Sequence, residues 1–245
     1  HKFKIGDVEV AQIYDGIWNR ALEDNLVKNT PPDQVKAALK AGGLADNIIP
    51  IPFTVTVVKM KGKYVMFDSG TGGQLQPTAG LMAAKNMKAA GIDPAKIETI
   101  IVTHFHPDHI FGLMAKETNA QTYPNATIYL PKPDLAWWTG SSVPQPAQGI
   151  SNRVKATFPS WKNVQQIDGD KEVVGGVRAV ATPGHTLGHT SYLDSDPVMA
   201  ETNRRKIMDR AIADKLIVTG YHYSMPGAGT IKRDGTGYVF APVKT

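Results

Sequence analysis

The segment THFHPDH at residues 103–109 contains three of the chain's seven histidines and one aspartate. It begins inside IETIIVTH (97–104), a nearly continuous apolar run of the kind found in a strand buried on both faces. Pro107 has a fixed φ that suits the start of a helix. The segment is therefore predicted to be a strand-to-helix turn, which can direct four polar side chains at one point from two directions.

Two later segments place further histidines at the ends of predicted strands. His185 follows the apolar run at 175–183, with His189 four residues on, and His222 ends the run at 215–222. Histidine and carboxylate ligands suit Zn²⁺, Mn²⁺ or Fe²⁺. A lone histidine is more often a packed or surface group, but that explanation would have to hold separately at three places. The constellation therefore favours a metal site.

The remaining pattern predicts hairpins, then alternating strands and helices, then a closing hairpin. This order predicts an α+β fold of two mixed sheets with helices outside. Alternating apolar residues and turn residues predict the hairpins, and helical spacing with Pro and Gly at the ends predicts helices. The predicted hairpins span 2–16, 53–70 and 230–243, and the predicted helices span 30–43, 81–92 and 196–214.

Composition limits the classes of partner. The net charge of +5 is spread along the chain, and its densest basic group is NRRK at 203–206, so no nucleic-acid partner is expected. No apolar run approaches the ~18 residues of a membrane span. The absence of cysteine excludes disulfides and thiol catalysis. We expect a small-molecule substrate.

The compartment and the oligomeric state stay open at this point. The chain begins at His1 without a methionine, so removal of a leader is compatible with the sequence. A soluble protein is expected, either cytoplasmic or periplasmic or secreted after leader removal. A homodimer is compatible with the sequence as well.

These motifs carry a family resemblance. THFHPDH, TPGHTLGHT (182–190) and the late His222 resemble the metallo-β-lactamase superfamily, including the FDSG at 67–70 that precedes the first motif. The resemblance implies a four-layer αββα sandwich with a metal site at one sheet edge, and a single domain over residues 1–245. YDG (14–16) and the tail at 225–243 most resemble the methyl parathion hydrolase and lactonase-like branch.

The resemblance also implies a set of site residues and two divalent ions, zinc first, with manganese or iron as alternatives. Asp68 resembles a carboxylate that orients a ligand imidazole, although a turn-forming Asp before Ser-Gly is the alternative. Asp15 and His189 have the same two interpretations, a partner of a ligand or a structural residue. The implied ligands are His104, His106 and His185 for the first metal, and Asp108, His109 and His222 for the second.

One departure from the family pattern affects the second metal. After GHTSY (188–192) the family has two strands and a Gly-Asp whose carboxylate bridges both ions, whereas here SYL runs directly into DSDPVMAE (194–201). A bridging anion offsets the repulsion between two cations ~3.5–4 Å apart. Either a segment between Leu193 and Asp194 is missing from this sequence, or the second metal site is impaired.

The resemblance implies a metallo-hydrolase that cleaves ester, lactone or phosphotriester bonds with hydroxide formed at a metal at neutral pH. Asp108 is assigned a second, catalytic role in steering that hydroxide. A β-lactamase of the same fold is the alternative function, followed by a metal-binding protein without activity. A di-iron oxidoreductase of this fold usually has Glu at the position of His106, which argues against that class.

Aromatic side chains near the motifs are expected to line the substrate pocket and to favour a neutral, apolar substrate. For the Trp137–Trp138 pair the alternative is helix packing, because only one of two adjacent residues can face a site. The expected pocket residues are Phe105, Phe111, Trp138 and Tyr223.

Overall fold

The computed structural model describes residues 1–24, 26–186 and 194–243. The strands are Lys2–Ile5 (β1), Val8–Ala21 (β2), Ile48–Met60 (β3), Lys63–Phe67 (β4), Ile97–Ile101 (β5), Thr127–Pro131 (β6), Val164–Ile167 (β7), Lys171–Val174 (β8), Val177–Ala179 (β9), Val218–Thr219 (β10), Ala228–Asp234 (β11) and Gly237–Pro242 (β12). The α-helices are Pro32–Ala41 (α1), Ala83–Ala89 (α2), Pro107–Ile110 (α3), Lys132–Thr139 (α4), Gln148–Thr157 (α5) and Pro197–Ala213 (α6).

A seven-stranded mixed sheet forms the first half of the molecule, with its strands in chain order from β1 to β7. The strands from β1 to β4 pair antiparallel, and those from β4 to β7 pair parallel. Phe67 at the end of β4 lies in register with Ile101 at the end of β5. Because parallel strands end at the same sheet edge, Asp68 and the THFHPDH turn emerge side by side.

The two faces of this sheet pack against different elements. On one face Met66, Ile100 and Ile128 pack with residues of α2, α4 and α5 in the largest apolar cluster. On the other face Val65 and Ile101 pack against the β8–β9 hairpin. Adjacent residues such as Val65 and Met66 point to opposite faces because side chains alternate along a strand.

The second layer contains the two-stranded sheet β8–β9 and the three-stranded sheet β10–β11–β12, both antiparallel, and α6 packs against β11. This arrangement confirms the predicted α+β fold with sheets inside and helices outside. In detail the second layer differs from a single mixed sheet, because among the described residues no strand links β9 to β10. The chain between those two strands contains α6 and residues 187–193, which lie outside the described residues.

The predicted strand at 215–222 is much shorter in the structure. Only Val218–Thr219 forms a strand. The amide of Leu216 instead donates to the carbonyl of Ala211 at the end of α6, at 2.8 Å, and the amide of Tyr223 donates to the carbonyl of Gly220 in a turn. The residues at both ends of the predicted strand therefore form the end of a helix and a turn instead of strand.

Two sequence-based expectations are left as predictions. The junction between Leu193 and Asp194 falls at the edge of the undescribed range 187–193, so the expected missing segment is not tested by the fold. The single domain over residues 1–245 also stays a prediction. No helix among the described residues has both the length and the apolar character needed to cross a membrane.

Candidate metal centre

Six side chains meet at the sheet edge as two adjacent triads. Within each triad, one ligand atom from every residue lies within 4.8 Å of those of the other two. The rings of His104 and His109 connect the triads, with 3.9 Å between their centroids. The first triad consists of His104, His106 and His185, and the second of Asp108, His109 and His222.

The turn after β5 places four of these residues. His106 is the residue before α3, and its carbonyl accepts the amide of His109 at 2.9 Å. Pro107 occupies the first helical position, as predicted. An N–H at this position would have no partner within the helix, so its absence costs no hydrogen bond. α3 has only four residues, and around this short turn the side chains of the four candidate ligands converge.

Asp68 connects this turn to the end of β4. Its Oδ2 lies 2.8 Å from Nδ1 of His109, and its Oδ1 accepts the amide of Thr103 at 2.8 Å. The residue has a φ of +58°, in the left-handed region that aspartate tolerates better than most residues. Asp68 therefore combines both sequence interpretations, since a turn conformation lets its carboxylate orient the His109 ring.

Thr103 is a supporting residue that the sequence analysis did not identify. Its hydroxyl lies 2.9 Å from Oδ2 of Asp68 and 3.0 Å from Nδ1 of His104. The hydroxyl thus links Asp68 to the imidazole of His104 and helps to orient that ring. Its position directly before the first histidine of the motif is the sequence feature that could have identified it.

The two late histidines are supported differently. Nδ1 of His222 lies 3.1 Å from the main-chain carbonyl of Pro52, and its Nε2 lies 3.4 Å from Oδ2 of Asp108. For His185, Oδ1 of the buried Asp194 lies 3.5 Å from Nδ1. Arg204 contacts the other oxygen of Asp194, also at 3.5 Å. Neither Asp194 nor Arg204 was identified from the sequence.

Burial and close charges shift the proton affinities of the centre. Burial lowers the pKa of His106 to about 4, against the attraction of Asp108. Burial also disfavours charge on His109, but the adjacent carboxylates of Asp108 and Asp68 outweigh it and raise its pKa to about 10. Burial alone would raise the pKa of Asp108, but the facing imidazoles, His109 foremost, hold it below its ordinary value. The second triad therefore carries one ionised carboxylate that faces two imidazoles.

The donor set fits divalent metal in both triads. The Nδ1 atoms of His104, His109 and His222 face Thr103, Asp68 and Pro52, so their Nε2 atoms are directed at the centre. Five imidazoles and one carboxylate are the borderline ligands that Zn²⁺, Mn²⁺ and Fe²⁺ accept. Fixing one ring nitrogen by a hydrogen bond also fixes the tautomer that presents the other nitrogen to a metal.

A cavity of about 550 Å³ opens beside the triads, between the sheet and α6. His104, His109, His185 and His222 form one wall. Most of the remaining wall is apolar, with Arg204 as a cation near one side. The apolar part comprises Phe67, Ile207, Met208, Ala211, Val218 and Ile231.

A model of the metallo-β-lactamase superfamily matches residues 51–199. The chain belongs to this superfamily. The matched range contains both histidine motifs and Asp68, while His222 lies beyond it. Membership in the metallo-β-lactamase superfamily implies divalent metal, and the two triads are where the described residues offer suitable ligands.

Individual relatives are more distant. A hydroxyacylglutathione hydrolase of Acidiphilium cryptum is 27% identical over 155 residues, which make up 60% of this chain and 51% of that protein. An N-acyl homoserine lactonase of a Bacillus species is 32% identical over 107 residues, 44% of this chain and 36% of that protein. The chain thus spans about half or less of the length of these two curated superfamily members.

The structure of AidC, a dizinc quorum-quenching lactonase in complex with a product, superimposes with a TM-score of 0.88. The match covers 100% of this chain and 97% of AidC at 23% sequence identity. At that identity the likeness shows a shared fold and leaves the substrate open.

Three of the four expected pocket aromatics do not reach the cavity. Phe105 is fully buried and packs on Phe158, with 5.3 Å between ring centroids, and Phe111 and Trp138 belong to the same apolar cluster. Phe105 lies between two histidines in an extended segment, so alternation turns its ring away from the metal centre. Tyr223 does line the cavity.

Asp15 supports the site less directly than expected. Its Oδ1 accepts the amide of Ala83 at 2.7 Å, and a Cβ added at Gly70 would lie 2.5 Å from its Oδ2. The carboxylate is therefore packed against the loop that follows Asp68, and not against a candidate ligand. Burial raises the pKa of Asp15 to about 6. His189, the other expected partner of a ligand, lies outside the described residues.

Proposed function

We propose that this protein is a hydrolase dependent on two divalent metal ions, zinc first, that cleaves esters, lactones or phosphotriesters. The observation that carries the proposal is the pair of adjacent triads beside an apolar cavity. His104, His106 and His185 would hold the first ion, and Asp108, His109 and His222 the second. When bound, such ions would acidify water, polarise a carbonyl or phosphoryl oxygen and stabilise the leaving oxygen.

The protein's own residues orient the reaction. Oδ2 of Asp108 lies 3.2 Å from Nε2 of His109 and 3.4 Å from Nε2 of His222, so this oxygen belongs to the second triad. We assign Oδ1 of Asp108 to a hydrogen bond from the attacking water, which directs its lone pair at the substrate. Asp68 keeps the His109 ring fixed while this happens, because its carboxylate stays on Nδ1.

The cavity supports an apolar substrate group. Its wall includes Phe67, Ile207, Met208, Val218 and Ile231, and these apolar side chains favour an acyl or aryl group over a charged one. The similarity to an N-acyl homoserine lactonase and to AidC supports a lactone as the first substrate class to test. The similarity to a hydroxyacylglutathione hydrolase adds thioesters to the panel.

We also propose that the second ion binds more weakly than the first. The family's bridging Asp has no counterpart in the sequence between GHTSY and DSDP. Without a bridging carboxylate, nothing shared by the two sites offsets the repulsion between the ions, so the ion that binds second has the lower affinity. If a segment is missing between Leu193 and Asp194, the protein isolated from its natural source will have a mass above 26.5 kDa.

The test combines metal analysis with a substrate panel. Elemental analysis of the purified protein is expected to find zinc, manganese or iron, and the metal-replete protein is expected to turn over a lactone, an aryl ester or a phosphotriester. Chelation should abolish turnover, and adding zinc should restore it. Efficient cleavage of nitrocefin with no turnover of the other substrates would instead establish a β-lactamase. Metal-free protein that cannot be loaded would refute the proposal.

A further inference from the structure

Tyr221 contacts the second triad through both its ring and its hydroxyl. The phenol donates to the main-chain carbonyl of Asp108 at 2.6 Å. The ring lies on the His109 imidazole, with 4.2 Å between centroids and a 38° tilt. The carbonyl of Tyr221 accepts the amide of Thr54 on β3 at 2.8 Å, which fixes the residue to the large sheet.

The bond to Asp108 fills a gap that the short helix creates. In a longer helix the carbonyl of Asp108 would accept the amide four residues on, at Gly112. That amide donates instead to the carbonyl of Gly70, at 2.9 Å, because α3 ends after one turn. The phenol of Tyr221 therefore takes the place of a missing helical donor and satisfies a carbonyl at the helix end.

The consequence for the triad is geometric. Asp108 and His109 are consecutive residues, so the peptide that Tyr221 holds joins two of the three candidate ligands. The phenol fixes that peptide, and the ring covers the face of His109. His109 is already held at its edge by Asp68, 2.8 Å from Nδ1. Together the two contacts restrict both the tilt and the rotation of one imidazole.

We propose that Tyr221 is a positioning residue for the second metal site and that its hydroxyl sets the affinity of that site. The inference rests on the proposed function, since it assigns Asp108, His109 and His222 to the second ion. For the first ion, the inference predicts an unchanged affinity. Removing the hydroxyl leaves the ring in place but frees the Asp108–His109 peptide to move.

The test is a cobalt(II) titration of the metal-free protein, followed through the visible absorption of bound cobalt. In Tyr221→Phe we expect the second cobalt to bind about tenfold more weakly, the lower range for loss of an outer hydrogen-bond partner of a ligand. The first cobalt should bind as in the wild type. Tyr221→Leu, which removes the ring too, should weaken the second ion further. Tyr238→Phe, on β12, removes a hydroxyl that donates to Asp209 at 2.7 Å; this matched control should change neither affinity.

The outcomes separate this inference from the function on which it rests. Urea unfolding of each metal-free variant identifies a general loss of stability, and if Tyr221→Leu does not fold, Tyr221→Phe decides alone. Equal second-ion affinities in Tyr221→Phe and the wild type, or equal weakening of both ions, would overturn the inference and leave the proposed function in place. A wild type that binds one cobalt would overturn both the inference and the two-ion part of the proposed function. A wild type that binds no cobalt would overturn both.

Discussion

The turn at residues 103–109 and the two late segments supply candidate ligands by different means. In the turn, the histidines contact other side chains. Oδ2 of Asp68 lies 2.8 Å from Nδ1 of His109, and the hydroxyl of Thr103 lies 3.0 Å from Nδ1 of His104. The late histidines have main-chain support at His222 and a longer carboxylate contact of 3.5 Å at His185. That longer contact exceeds the 2.7–3.2 Å of an ordinary N–H···O hydrogen bond.

The difference has a structural origin. The turn and Asp68 follow two parallel strands in the middle of a seven-stranded sheet, so their relative position is fixed by the sheet. His185 and His222 flank α6 and belong to the smaller second layer. The turn contributes four candidate ligands, and the late segments contribute one to each triad. Mutations can test whether the two regions hold their ligands equally firmly.

The largest effect is expected at His106, the candidate ligand of the first triad whose pKa burial lowers to about 4. Replacing His106 with Ala removes one of three nitrogens, so bound metal should fall well below one equivalent at the first site. Hydrolysis should fall more than ~100-fold, beyond the cost of losing an outer partner of a ligand. Elemental analysis and turnover of the best panel substrate measure both quantities. Full metal content in His106→Ala would contradict the assignment.

A smaller effect is expected at the carboxylate behind the turn. Asp68→Asn keeps the shape but removes the negative charge that holds His109 and Thr103. The affinity for the second cobalt should fall about 10- to 100-fold, the usual cost of such a partner. The measurement is the same cobalt titration of metal-free protein.

Asp194→Asn provides the matched comparison in the late segment. The same chemical change is made beside His185, where the contact is 3.5 Å. We expect less than about a threefold loss of cobalt affinity, because a contact of this length contributes little as a hydrogen bond. Equal losses of cobalt affinity in Asp68→Asn and Asp194→Asn would show that the turn and the late segments hold their histidines equally firmly, and would contradict the proposed difference between them.

The smallest effect on the site, but a measurable one on stability, is expected at Asp15. Burial raises its pKa to about 6 in the folded protein, above its ordinary value of 3.8, so the folded state binds more protons between these values. The free energy of unfolding should therefore fall as pH rises from 4 to above 6. The contribution is up to about 3 kcal/mol, since one pKa unit corresponds to ~1.4 kcal/mol.

Asp15→Asn isolates this contribution. The variant keeps an oxygen for the Ala83 amide and loses the ionisable group, so its stability relative to the wild type should rise between pH 4 and 7. Urea unfolding of metal-free samples across that range gives the difference. Parallel curves for the two proteins would show that Asp15 does not titrate in this window.

Sequence reasoning predicted well what depends on local pattern. Both triads consist of residues named from the motifs, and the hairpins and helices follow from alternation, helical spacing and Pro or Gly at their ends. The strand at 215–222 was too long in the prediction, because hydropathy does not show that Leu216 closes a helix. The roles of the triads as metal ligands stay a proposal.

Contacts between distant residues were the part that the sequence did not reveal. Tyr221 and Asp194 stand beside ligand motifs, but their partners lie on other elements. Phe105 and Phe111 were placed at the pocket because they flank the ligand motif in the chain, yet nearness in sequence does not fix which face a side chain takes. A pocket wall built from α6 and β11 requires the tertiary arrangement.

The main-chain support of His222 has a consequence for how substitutions are tolerated. Its Nδ1 faces a carbonyl at position 52, and every amino acid supplies a carbonyl. Position 52 can therefore vary in a saturation mutagenesis library as long as the β3 backbone keeps its path. Position 68 has no such latitude, because only its side chain supplies the oxygen. Two histidines of the same triad would thus leave opposite signatures in a mutational scan, one beside a permissive position and one beside an invariant one.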